Sequence, residues 1–375
     1  VQGIAGGVLT PIGSAVLFRA YPASQRAAAA AAVLSVAVAA PAVGPLLGGL
    51  LVDQASWRWI FLVNIPVGIV GVTMSLWALR ADEPVDAGRF DLAGLVLSAG
   101  SVSALLYAMS AGPERGWGSP LVLGLGTLGG AALVTGIAVE LRVREPMLAL
   151  RLFRNRLFRS VNVAAVLIYA GFFGQIYILP VYLQTLRGYS AFQSGLVQAP
   201  QAFGVLLVSN LVGAAAYRTI GPRRLMTAGT AVAAAVTCSF WWVSLTTPLW
   251  VIALGTFVRG SAMALVFIAI QTAVYGTIEY ADMTRATSLF NAQRQFAYAA
   301  GVAVSATVLA AGLAGISAAA APAERLDAHR WSFLAVGLVM IPAVVLASLV
   351  RDEDAAATRG ADGPVVAAEV SGSQS

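Results

Sequence analysis

Long apolar runs, broken by short polar stretches rich in arginine, recur along this chain. A bilayer core of about 30 Å asks for roughly 20 apolar residues in one helix. Runs of that kind fall at 1–18, 27–52, 59–79, 92–111, 120–139, 160–183, 194–216, 225–245, 249–275, 286–315 and 331–350. They predict about eleven transmembrane helices. Strands of a membrane barrel alternate lipid-facing and lumen-facing residues, whereas these runs are continuous, so a barrel is excluded. The fold class is an all-α polytopic membrane protein.

The polar breaks add direction. Cytoplasmic loops collect positive residues. If the first run heads inward, sixteen arginines fall in inside loops, six of them (Arg142, Arg144, Arg151, Arg154, Arg156, Arg159) in one connection. Outside loops then hold five: Arg58, Arg115, Arg187, Arg325 and Arg330. Arg259 and Arg294 fall within runs. The imbalance predicts a C-terminal tail in the cytoplasm. That tail, 351–375, is rich in Ala, Gly, Ser and Asp, lacks aromatics and reads as disordered. The 140–159 connection reads as a positive anchor that also suits anionic headgroups.

Composition agrees with lipid as the solvent. Of 375 residues, 59% are hydrophobic and 11% charged, against about 25% charged in soluble domains. The net charge is +6, with all 23 positive residues arginine, and with no soluble basic domain it does not point to nucleic acid. The lone Cys238 excludes a disulfide within the chain. The chain opens on Val1 inside an apolar run, the pattern of a chain that lacks its N-terminal part.

The second run holds Ala40-Pro41-Ala42-Val43-Gly44-Pro45-Leu46-Leu47-Gly48-Gly49. Gly44 and Gly48 make a face on which a neighbouring backbone can approach closely, and Pro41 and Pro45 favour a kink. The whole string resembles the antiporter motif of the major facilitator superfamily, as found in its drug:proton exporters. Ser56-Trp57-Arg58-Trp59-Ile60-Phe61-Leu62-Val63-Asn64-Ile65-Pro66 is similar to the segment that follows it in the fourteen-span branch. Gln2 and Gly3 resemble the end of that branch's fourth helix. Phe90–Gly94, Glu145–Met147 with Leu152–Arg156, and Ser288–Gln295 resemble later landmarks in order. The resemblance implies major-facilitator helical bundles. Residues 1–80 would be a remnant of an N-terminal six-helix bundle, with three helices. Residues 81–158 would be the extra helix pair and its cytoplasmic connection, 159–350 a C-terminal six-helix bundle, and 351–375 the tail. A second gating loop would be Gly213, Arg218, Gly221, Arg223 and Arg224, with Tyr217 standing where the family has an acid and one residue too many before Gly221.

Polar groups inside a membrane are costly and point to function. Arg259 lies about 10 residues, roughly 15 Å, into its helix. As a cavity residue it would meet an anion or a carboxylate; otherwise it bonds helix carbonyls. Tyr169, Phe173 and Tyr177, spaced by four and joined by Gln175, suit bulky amphipathic or cationic compounds, or simple packing. Asn291, Arg294 and Gln295 form a polar stripe, with Gln271 as a further member. No acidic residue falls in the middle of a run, so the proton carrier of an antiporter is expected outside this chain.

The sequence therefore predicts proton-coupled efflux of drugs or amphipathic small molecules by a multi-pass protein of the cell inner membrane, acting as a monomeric unit. Transport of a defined metabolite or siderophore is the alternative, and a non-transporting sensor or assembly partner the alternative from another class. An enzyme would need clustered acids, a histidine set or a nucleophile–base pair. Only one histidine occurs, His329, expected in an outside loop. No metal, nucleotide or other cofactor is called for, and no phosphate-cradling Gly-Lys motif occurs.

Overall fold

The computed structural model describes residues 44, 47–78, 92–140, 150–278, 282–317 and 320–353, and among these it is helical with no strand. After a helical stretch at 47–54 come α1 (Trp59–Ala78), α2 (Leu92–Arg115) and α3 (Pro120–Glu140). A short 3-10 turn at Leu150–Arg154 precedes α4 (Arg156–Thr185), α5 (Ala191–Val208), α6 (Ala214–Ile220) and α7 (Pro222–Ser239). The chain ends with α8 (Leu249–Tyr275), α9 (Met283–Leu313) and α10 (Pro322–Ser348).

Among the described residues, eight helices are long and apolar enough to cross a membrane. The expected span 1–18 and most of 27–52 lie outside the described residues, and α2, at the expected span 92–111, is not among the eight. The α1 span has none of its length buried against other protein. Trp77 and Leu76 there are 86% and 81% exposed. Such a face is untenable in water and suits lipid.

Six helices, α4, α5 and α7 to α10, pack as one bundle. α5 lies along α8, α7 touches α8 and α10, and α4 packs on α9 and α10. Without a hydrophobic drive between helices in lipid, close backbone approach at small residues supplies the packing. A Cβ on Gly260 of α8 would collide with the Gln201 carbonyl of α5, and one on Gly204 would lie 2.6 Å from the Phe257 carbonyl of α8. Gly301 of α9 meets the Ala170 carbonyl of α4 in the same way. One apolar core, with Phe158, Ile168, Met226, Met263 and Phe290, fills one half of the bundle. A second, with Ile178, Tyr182, Phe240 and Phe333, fills the other. α2 and α3 form a hairpin turned at Gly116 (φ 84°). It docks on α9, where Trp117 Nε1 donates to Thr307 Oγ1 at 3.0 Å.

Several helix starts lie earlier than the apolar runs suggest. α5 begins at Ala191 because Ser190 and Gln193 form a reciprocal capping box. α10 begins at Pro322, with Glu324 in its first turn, so His329 sits inside a helix and not in a loop. It is 1% exposed, and its Nε2 lies 3.4 Å from Thr185 Oγ1 of α4. Polar first turns carry these helices beyond the apolar stretch that hydropathy detects.

Candidate transport site

The residues expected to line a cavity separate into two groups. The first surrounds Arg259 of α8, which is wholly buried. Its Nε donates to Thr237 Oγ1 of α7 at 3.1 Å and its Nη1 to Gln201 Oε1 of α5 at 2.8 Å. Its Nη2 donates to the Phe172 carbonyl of α4 at 2.8 Å, with the Gly171 carbonyl at 3.4 Å. The guanidinium lies 4.4 Å from the centroid of the Phe172 ring. Thr237 has one proton for two acceptors, Ala233 O at 2.7 Å and Gln175 Oε1 at 3.1 Å. Gln175 is thereby joined to Arg259 through a hydroxyl. All these acceptors are neutral, so dipoles from three helices solvate the charge.

The second group is aromatic. Tyr169 of α4 stacks on Phe267 of α8 at 5.4 Å between centroids. Tyr298 and Phe290 of α9 meet Tyr169 edge-on at 5.7 and 6.3 Å. Phe173 stacks on Tyr298 at 3.5 Å. Arg294 lies 6.0 Å from the centroids of both Phe290 and Tyr298, a cation–π arrangement. Its Nε and the Oε1 of Gln271 are buried without a hydrogen-bond partner among the described residues. Asn291 is half-buried one turn before Arg294. The sequence reading missed Phe267, Phe290 and Tyr298. The spacing Phe290, Arg294, Tyr298 is a helical i, i+4, i+8 row and was available as a signal.

Two expected members fall elsewhere. Tyr177 and Gln295 line a cavity of about 650 Å³ between α2, α4 and α9, together with Glu114 and Tyr298. Gln295 lies beside the row that holds Arg294, and Tyr298 belongs both to that row and to the cavity.

The antiporter-type string contributes at its far end. Pro41, Pro45, Gln2 and Gly3 lie outside the described residues. Gly44 and Gly48 have open space at their Cβ positions among the described residues. Gly49 does not: a Cβ there would lie 2.6 Å from Phe192 Cα and 2.7 Å from the Ala191 carbonyl. The helix over 47–54 therefore rests backbone to backbone on the first turn of α5. Asp53 ends that contact, its Oδ2 accepting from Phe192 N at 2.9 Å and its Oδ1 from Ala191 N at 3.3 Å.

In the expected gating loop, Gly213 lies in a π turn between α5 and α6, and Arg218 belongs to α6. Gly221 takes φ 89° just before Pro222, a conformation that favours glycine. Arg223 and Arg224 are exposed. The Arg223 backbone N–H donates to Asp352 Oδ1 at 3.0 Å, so a carboxylate from beyond α10 caps α7.

The family model described as Major Facilitator Superfamily matches residues 1–302. The chain belongs to this superfamily. Among curated relatives, this major facilitator chain is 31% identical to the putative multidrug resistance protein MdtD of Cronobacter sakazakii over 367 residues, 94% of this chain and 74% of the relative. It is 31% identical to the multidrug export protein EmrB of Escherichia coli K12 over 313 residues, 82% of this chain and 60% of that protein. It is 29% identical to the multidrug resistance protein B homolog of Mycobacterium tuberculosis H37Rv, again over 82% of this chain but 58% of the relative. The chain thus spans less than two thirds of the length of the last two. It is a multi-pass membrane protein of a family that carries small molecules.

Proposed function

We propose that this chain belongs to a proton-coupled exporter of drugs or amphipathic small molecules in the inner membrane. It acts as a monomeric transport unit with its C-terminal tail in the cytoplasm. The observation that carries the reading is the contact at Gly49. An antiporter must close one face while the other opens, or protons leak past its cargo. Backbone-to-backbone packing at Gly49 leaves no room for a side chain between the two helices, and it is made by the string that resembles the antiporter motif. The relatives named for multidrug export or resistance agree with this reading. Tyr177 and Tyr298, which line the cavity between α2, α4 and α9, offer flat, polarisable surface for varied cargo. Glu114 and Gln295 line the same cavity and give it hydrogen-bonding capacity.

The test uses inverted membrane vesicles carrying the protein expressed from its complete reading frame. With an acidic interior, uptake of a lipophilic cationic dye and internal pH are followed together. Dye entry accompanied by proton exit, and abolished by a protonophore, is the expected result. Gly49→Val should insert normally and lose both signals. Dye uptake that persists with the gradient collapsed would overturn the reading.

A further inference from the structure

Asp53 stands in an unfavourable place for its own helix. The C-terminal end of a helix carries partial negative charge, and an acid there is destabilising. The same carboxylate is well placed for another helix, since the first turn of α5 presents unpaired N–H groups and partial positive charge. It accepts from two of those groups, on Ala191 and Phe192. α5 does not need it as a cap, because Ser190 and Gln193 already form a capping box. The acid is thus surplus to either helix alone and links the two.

We infer that Asp53 is a positioning residue for transport: an ionised latch that holds the helix over 47–54 against α5 and sets how often that face opens. The arginine pattern assigns this end to the outside. Among the described residues no charged side chain pairs with Asp53. Arg58 stacks over Trp57 at 4.9 Å. Arg187 donates to the Thr247 carbonyl at 2.6 Å and lies over the Tyr189 ring. The Ser190 side chain, followed by the Phe192 N–H, holds the Asp53 carboxyl below its usual range. A depressed carboxyl keeps its stabilising charge above the ordinary value and loses it only as pH falls through the lowered one. The latch therefore stays charged in any ordinary medium, and proton entry does not run through it.

The inference rests on the exporter reading for its transport readout only; the opening readout is independent. Spin labels on Gln54→Cys and Leu196→Cys, both exposed positions, in a Cys238→Ala background in nanodiscs report the distance across the contact. Asp53→Asn should raise the ratio of open to closed distances roughly two- to tenfold, the range that helix-terminus charges support. Adding Gln193→Glu, which returns negative charge to α5 from within α5, should not restore the closed population. The pH midpoint of dye uptake should not move. An unchanged ratio overturns the inference. Restoration by Gln193→Glu overturns it too, because Asp53 would then only cap α5. A flattened pH profile in Asp53→Asn would make Asp53 the proton carrier and overturn it as well. Lack of proton coupling in every variant, with the distance shift intact, would refute the exporter reading and leave the latch standing.

Discussion

Arg259 separates two physical pictures by the order in which its substitutions destabilise the protein. In a dry clamp, the guanidinium supplies three strong bonds to three helices, at Thr237, Gln201 and Phe172. Arg259→Lys keeps the buried charge but offers a compact ammonium that cannot span all three acceptors. An ammonium left buried without its full set of partners is an uncompensated charge, which costs about 3–5 kcal/mol. Arg259→Met loses every bond but also removes the charge, and an apolar replacement of similar volume often offsets most of the loss. Interhelical bonds in membranes average about 0.6 kcal/mol, so Met should cost about 2 kcal/mol. The Phe172 and Gly171 carbonyls lie within α4 and keep helical partners, which limits the orphaned groups to side chains. The expected order of stability is Arg, then Met, then Lys. Reversible unfolding in mixed micelles with increasing SDS, followed by tryptophan fluorescence, measures it. Lys within about 0.5 kcal/mol of Arg, with Met far below both, would refute the clamp, because only a water-filled cavity lets an ammonium substitute freely.

The remaining predictions concern packing and sidedness. Gly260→Ala drives a methyl into the Gln201 carbonyl and must push α5 and α8 apart, costing about 3 kcal/mol or more. Gly255→Ala on the same helix first meets the Phe240 ring at 3.4 Å. It should be neutral or stabilising by up to about 1 kcal/mol through helix propensity, and equal losses for the two in the SDS titration would refute the assignment. For sidedness, a cysteine at Arg151 in a Cys238→Ala background should resist an impermeant maleimide in intact cells and react in inverted vesicles. Labelling from outside would reverse the topology.

What the sequence showed well was whatever depends on one helix at a time. Apolar length marks α4 and α8, and Arg259 stands out because a charge in such a run is rare. The Gly49 string is legible as a place for close approach, because a bare backbone at helical spacing means the same thing whichever helix arrives. The register between helices was not legible. Nothing in 259 alone says that its partners are the neutral Thr237 and Gln201 rather than an acid, since threonine and glutamine occur in apolar runs for many reasons. The choice among Gly44, Gly48 and Gly49 depends on the angle at which α5 meets the earlier helix, a property of both.

Asp53 shows why that gap matters for function. Read along its own helix, it is an ordinary polar residue closing an apolar run, and the positive-inside pattern gives it no weight. Its energy lies in a dipole belonging to a helix that begins well over a hundred positions later. Asp352 on α7 repeats the arrangement: an acid just past one helix accepting the backbone N–H at the start of another. A bundle whose interior is apolar has few places to put a reversible, directional contact without burying a charge in lipid. Helix starts at the membrane surface are such places, because their N–H groups are already exposed and already polarised. An acid there links two helices at little desolvation cost, and it can be released by moving either one. A transporter that must open and close is therefore expected to keep its switchable polar contacts at helix ends, and its permanent ones, like that of Arg259, deep inside a bundle.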